Sequence, residues 1–155
     1  MRNEGLGTES LAAPDRAYRS EVLVRFAHCD PAGIVFYPRY LEMFNNLVED
    51  WCREKLALPF TELLSSGRGL PTAHLEVDFL APSKMGDVLQ ARLLVRAIGR
   101  TSVRLEIVLR GPDGQDRVRG KVVVVMTGAQ GKSGLPWPED LRARLSQFFI
   151  AESGC

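Results

Sequence analysis

The chain is poor in the residues that would mark a metal, disulfide or membrane protein. Of its 155 residues, three are cysteine and two are histidine. Cys29, Cys52 and Cys155 are odd in number and far apart, with no CxxC pair, and His28 and His74 stand in no zinc-ligand spacing. Neither a disulfide framework nor a metal site is expected, and a thiol-containing cytoplasmic protein is the economical reading. No apolar run approaches the ~20 residues that span a bilayer. The opening MRNEGLGTESLAAPDRAYRS also lacks an apolar signal core. An excess of one charge is missing too: 20 Lys and Arg against 19 Asp and Glu give a formal net charge of +1. That balance argues against a general electrostatic grip on nucleic acid.

What is present is ordinary globular composition, 45% hydrophobic and 25% charged, in a length that suits one core. The expected organisation is a flexible tail over 1–17 and a single domain over 18–155. From Tyr18 to Asp30 the pattern alternates, with Val22, Val24 and Phe26 on one face and Glu21 and Arg25 on the other. Such a period of two predicts a half-buried strand. From Pro38 the period changes. Tyr40, Leu41, Phe44, Leu47, Val48, Trp51 and Cys52 recur at three- and four-residue steps, which predicts one long amphipathic helix with Pro in its first turn.

After a connector with a short helical turn, four further alternating segments follow. They begin at PTAHLEVDFL, DVLQARLLVRAI, TSVRLEIVLR and DRVRGKVVVVMTG. In the first, Ala73, Leu75, Val77 and Phe79 share a face opposite His74, Glu76 and Asp78. The apolar end of the last predicts burial on both sides. Gly99–Arg100 and the GPDG at 111–114 are tight-turn chemistry. A helical segment is expected at about 137–149, with acids in its first turn. One long helix with five strands joined by short turns is an α+β layout.

The chemistry-bearing feature is the junction HCDPAGIVFYPRYLEMF. Pro31 bars Asp30 from the α region, Gly33 permits a turn and a close approach, and the helix starts only at Tyr37–Pro38. A carboxylate is thereby set beside a helix end whose first N–H groups lack intrahelical partners. This pairing suits acyl transfer: the acid attacks a carbonyl or deprotonates a water, and the N–H groups stabilise the oxyanion. The plainer alternative is that Asp30 only shapes the turn. Cys29 has no base placed to activate it and is expected to be structural.

Phe26, Asp30, Pro31, Ala32, Gly33, Ile34, Val35, Tyr37, Pro38 and Tyr40, in order and without a gap, closely resemble the 4-hydroxybenzoyl-CoA thioesterase family of hotdog-fold proteins. The resemblance continues, less specifically, through PTAHLEVDFLAPSKMGDVL and LVRAIGRTSVRLEIVLR and covers about 18–128. It implies a hotdog fold, a five-stranded and mostly antiparallel sheet wrapped around one long central helix. It also implies a homodimer or homotetramer with sites at subunit interfaces, hydrolysing acyl-CoA without metal or cofactor, coenzyme A being part of the substrate. By position, Asp30 is the implied catalytic carboxylate, and the Tyr37 backbone N–H polarises the thioester carbonyl. Gly33 and Asn45 are expected to contact substrate, and Arg100, Thr101 and Ser102 are expected to meet the CoA portion. Asn45 stands where aromatic-acyl members can present an acid to a phenolic hydroxyl, so the acyl group stays open between a benzoyl type and an aliphatic chain. A dehydratase lacks a convincing histidine here. A non-catalytic acyl-CoA-binding module would have no need of Asp30.

Overall fold

The computed structural model describes residues 15–128 and 133–152. Most of the expected tail, residues 1–14, and also Cys155 lie outside these residues. Five strands are formed, β1 (Tyr18–Leu23), β2 (Thr72–Phe79), β3 (Val88–Ile98), β4 (Ser102–Arg110) and β5 (Asp116–Val125). They make one sheet in the order β1-β3-β4-β5-β2, and every pairing is antiparallel. Three helices accompany it, α1 (Pro38–Lys55), α2 (Phe60–Ser65) and α3 (Glu139–Ser146).

The five turns of α1 follow from the three- and four-residue spacing, with Pro38 in the first turn, where no N–H is needed. Its buried stripe is Tyr40, Met43, Phe44, Leu47, Val48, Trp51 and Cys52. These side chains join one core cluster with Leu89, Leu93 and Val95 of β3, Leu105, Ile107 and Leu109 of β4, and Val118, Val122 and Val124 of β5. Each such fully buried side chain favours the fold by about 1.5–3 kcal/mol against its entropy cost. Gly120 allows the close approach: a Cβ there would lie 2.3 Å from the Phe44 ring.

Three local expectations differ from the structure. β1 stops at Leu23, and Phe26 sits in a 3₁₀ turn (Phe26–His28), 82% exposed rather than inward. Val24 N–H donates to Asp87 O at 2.8 Å and Gly86 N–H to Val24 O at 2.8 Å, so the chain leaves the strand to meet the turn before β3. On β2, the residues expected inward stay largely open, Leu75 at 41% and Phe79 at 50%. The strand is at the sheet edge, and nothing among the described residues covers it. At the end of β5, Val122 and Val124 are buried, but Val123 and Val125 on the other face are only half-buried.

The C-terminal segment adds a short helix and a crossing. α3 buries Leu141 and Leu145, and Phe149 then bridges Val95 in parallel. Arg96 bonds Glu106 at 2.7 Å and the carbonyls of Ile150 and Ala151 at 2.9 and 3.1 Å. No helix among the described residues is long and apolar enough to cross a membrane.

Candidate active site

Asp30 stands in a small closed loop. Cys29 and Val35 form an antiparallel bridge. Asp30 N–H donates to Ile34 O at 3.0 Å, Gly33 N–H to Asp30 O at 2.9 Å, and Phe36 N–H to His28 O at 2.9 Å. Gly33 has φ +77°, the left-handed value that closes the turn and that a side chain resists. Asp30 Oδ1 accepts the Ala32 N–H at 2.9 Å, an Asx turn. The other carboxylate oxygen has no partner among the described residues, and the residue is half-buried. The turn-shaping role is therefore real, and it leaves one oxygen available.

The loop is fastened to the segment ahead of β3. Val35 N–H donates to Ser83 O at 2.9 Å, Met85 N–H to Gly33 O at 3.1 Å, and Ile34 bridges Lys84. Beneath it the Tyr40 hydroxyl donates to Ser83 Oγ at 2.9 Å, and Ser83 is fully buried. The first turn of α1 and the loop carrying Asp30 thus share one anchor. Sequence reasoning missed Ser83, because an isolated serine in APSKMG reads as turn chemistry and only the tertiary contact gives it a partner.

At the helix start, Tyr37 already has helical angles (φ −52°, ψ −35°). Pro38 has no N–H, Arg39 N–H is taken by Phe36 O at 2.9 Å, and Tyr40 N–H by Tyr37 O at 3.1 Å. The Tyr37 N–H has no acceptor among the described residues. A free donor at the positive end of a helix, seven residues from a carboxylate and joined to it by a bonded loop, is the arrangement oxyanion stabilisation needs. Beside it Ile34, Val35, Tyr37, Tyr40, Phe79 and Leu80 line an apolar cleft. The Tyr37 and Phe79 rings meet edge-on at 5.8 Å.

Asn45 lies eight residues along α1, about 12 Å from the helix start by the rise per residue. It is exposed and lines a second apolar cleft with Leu41, Phe44, Thr72, Leu75 and Val122. Arg100, Thr101 and Ser102 sit elsewhere. The Asp30 loop touches residues 83–85, just ahead of β3, whereas the 99–102 turn follows its last residue. Eleven strand residues, about 36 Å, separate the two. Within one chain the structure brings Asp30, Gly33 and Tyr37 together, sets Asn45 midway along the helix, and leaves Arg100–Ser102 at the far end.

The remaining nucleophile and base candidates are otherwise engaged. His28 Nδ1 accepts the Arg25 N–H at 2.9 Å, and His74 pairs with Glu76 at 3.1 Å on the surface. Cys29 is half-buried, with Sγ 3.4 Å from Arg25 O. Burial, with Glu49 adding to it, pushes the Cys52 thiol up to about 12. No group of three metal-ligating side chains occurs among the described residues.

A carboxylate with a free oxygen, joined by a bonded loop to an unpaired helix-end N–H, is an arrangement capable of acyl transfer. The chain belongs to the Thioesterase-like superfamily, whose family model matches residues 24–145, and this membership places it among thioester hydrolases. The 4-hydroxybenzoyl-CoA family expected from the sequence is narrower than this match. A 1,4-dihydroxy-2-naphthoyl-CoA hydrolase from Synechococcus elongatus is 28% identical over 130 residues, 81% of this chain and 92% of that protein. Two solved structures share the fold. One is a 1,4-dihydroxy-2-naphthoyl-CoA thioesterase from Synechocystis (TM-score 0.77, 23% identity, covering 84% of this chain and 96% of that one). The other is a gentisyl-coenzyme A thioesterase (TM-score 0.73, 26% identity, 81% and 99%).

Proposed function

We propose that the protein hydrolyses the CoA thioester of a hydroxylated aromatic acid to the free acid and CoA. The observation that carries the reaction is the Asp30 loop: one carboxylate oxygen fixed by Ala32 N–H, the other free, with the unpaired Tyr37 N–H at the start of α1. The thioester carbonyl oxygen accepts the Tyr37 N–H. Either the free oxygen of Asp30 takes a proton from a water that attacks the carbonyl carbon, and the thiolate of CoA departs, or that oxygen attacks, the thiolate departs, and a water then opens the mixed anhydride to release the acid and restore the carboxylate. Gly33, without a side chain, leaves the approach to the acid open. The aromatic assignment is supported by the substrates in the names of the similar proteins and by the apolar clefts along α1. In the second cleft, Asn45 both donates and accepts, and so can serve ring hydroxyl or carbonyl groups where a carboxylate can only accept.

The working form is a homodimer or larger oligomer paired through β2. Edge-on pairing of β2 with its copy about a twofold axis keeps both copies of α1 on one side of the sheet and makes the pairing antiparallel. It would cover Leu75 and turn the partner's 99–102 end toward this chain's Asp30. Arg100 with Thr101 and Ser102 would then meet the phosphates of a CoA bound across the interface.

Thiol release from a panel of CoA esters tests the reading: benzoyl, hydroxybenzoyl, dihydroxybenzoyl, hydroxynaphthoyl, phenylacetyl and aliphatic chains of several lengths. Fastest turnover of hydroxyaryl esters is expected. Preference for aliphatic chains discards the substrate and keeps the mechanism. Binding of the esters without turnover of any of them sinks the hydrolase reading and leaves an acyl-CoA-binding module.

A further inference from the structure

The β3–β4 turn is held by its main-chain carbonyls, and most of their donors come from the C-terminal segment. Arg142 Nη2 donates to Gly99 O at 2.7 Å, Trp137 N–H to Arg100 O at 3.1 Å, and the Trp137 indole to Ser102 O at 3.0 Å. Met126 N–H takes the remaining carbonyl, Thr101 O, at 2.8 Å. Trp137 is buried, and Gly134 lies so close to Thr101 that a Cβ there would meet its side chain at 3.1–3.2 Å. Trp137, Leu141 and Leu145 all sit in the core, and the three hydrogen bonds to one turn come in addition to that packing.

No peptide among the described residues is cis, so the C=O and N–H of each of these peptides point in opposite directions. With Gly99 O and Arg100 O drawn toward Trp137 and Arg142, the N–H groups of Arg100 and Thr101, which belong to those same two peptides, face the other way. Neither has an acceptor among the described residues. Two successive free N–H groups and the exposed Arg100 guanidinium are donors suited to a phosphate.

Resting on the reading above that this turn meets the phosphates of CoA, we infer that Trp137 and Arg142 are positioning residues for substrate binding. They hold the turn's carbonyls inward so that its N–H groups present an anion site. They touch neither the acyl group nor the reacting atoms. Their effect therefore belongs to the nucleotide end of the ligand alone.

Calorimetric titration with two non-hydrolysable thioethers, phenacyl-CoA and phenacyl-pantetheine, separates the two ends of the ligand without needing turnover. Trp137→Phe keeps a buried ring and the main-chain bond to Arg100 O and removes only the indole bond to Ser102 O, whereas Arg142→Ala removes the bond to Gly99 O from an exposed site. Each variant should weaken phenacyl-CoA by about three- to tenfold, the loss of one such bond, and weaken phenacyl-pantetheine by less than about twofold. Equal weakening of both ligands would mean general loosening of the fold and overturns the inference. Native affinity in both variants, with Arg100→Ala weakened, keeps the turn as the phosphate site and rejects Trp137 and Arg142 as its positioning residues. Native CoA affinity in Arg100→Ala as well removes the turn from the binding site and the inference with it. A protein that hydrolyses no ester but shows the expected pattern keeps this inference while the hydrolase reading falls.

Discussion

Asp30 offers a direct separation of catalysis from architecture, because its two carboxylate oxygens have different employment. Oδ1 accepts the Ala32 N–H at 2.9 Å, while the other oxygen is unpartnered among the described residues. Asp30→Asn preserves an acceptor of the same geometry for Ala32 and replaces the free oxygen with an amide nitrogen, which neither attacks a carbonyl nor accepts a proton. Asp30→Ala removes both. The bond to Ala32 contributes about 0.5–1.5 kcal/mol. At about 2–4 °C per kcal/mol for a domain near this size, the alanine variant should melt roughly 1–6 °C lower and the asparagine variant within about a degree of native.

Activity should follow a different order. Loss of a positioned base or nucleophile costs about 10²–10⁴ in rate, and both variants suffer it. Measured by thiol release on the best ester, alongside thermal melts, Asp30→Asn should be nearly as inactive as Asp30→Ala while remaining nearly as stable as the native chain. An asparagine variant retaining turnover within about threefold of native would refute the catalytic role and leave Asp30 a turn residue. A loss of rate proportional to the loss of Tm across the two variants would do the same.

Three further outcomes follow from other contacts. Tyr40→Phe leaves the fully buried Ser83 Oγ without its partner and should cost about 1–3 kcal/mol in urea unfolding, as should Ser83→Ala; the double variant should cost clearly less than the sum, and strict additivity would show the bond to be uncoupled. Although burial opposes it, Arg110 and Arg119, each 2.9 Å away, hold the Asp116 carboxyl below its ordinary value. With the folded value below the unfolded one, the stabilisation is present above pH ~4 and is lost as pH falls through the folded value. Asp116→Asn should therefore be less stable at pH 7, by up to about 1 kcal/mol, with the gap closing in acid; a gap unchanged from pH 7 to pH 2 contradicts the assignment. Finally, co-refolding equal amounts of Asp30→Asn and Arg100→Ala at limiting substrate should restore about a quarter of native activity, since half the dimers are mixed and each holds one intact composite site; a mixture no better than the mean of its parents would place both residues in one subunit's site or outside it.

The fold was legible where a side-chain period reports burial within the chain. The three- and four-residue steps from Tyr40 to Cys52 describe the buried face of α1, and the alternation at Leu89–Val95 and Val103–Leu109 describes the sheet. Phe26 was misread because alternation persists in the sequence for several residues after the β1 ladder has ended. A turn beginning at Arg25 leaves no local apolar signature. Leu75 and Phe79 carry a correct strand pattern whose burial the chain does not supply, which a period cannot reveal. In the site, the Asp30–Pro31 and Gly33 chemistry and the Pro38 helix start are local and therefore visible. The Tyr40–Ser83 bond and the hold of Trp137 on Ser102 join residues 43 and 35 positions apart and had no local signal.

The open edge and the divided site have one geometric origin. A sheet of five strands on one helix buries β3, β4 and β5 well, but α1 is a single rod that meets β2 at Phe79, through the Tyr37 and Tyr40 rings, and leaves Leu75 41% exposed. The chain therefore ends its sheet with a strand whose apolar residues and outer backbone groups are unmatched, an arrangement usually blunted by charge, proline or a covering segment. β2 has Glu76 and Asp78 on its other face but no proline and no cover. The proposed pairing with a second copy would close that edge. Being antiparallel, it would also reverse the second sheet end for end. The turn that lies about 36 Å along β3 from Asp30 in its own chain would then face the Asp30 end of the neighbour. An acyl-CoA has its reacting carbonyl at one end and its phosphates at the other, so the proposed pairing would let the two ends of the molecule meet residues of two chains. On the proposed pairing, the exposed Leu75 and the distant Arg100 would both meet the same second copy.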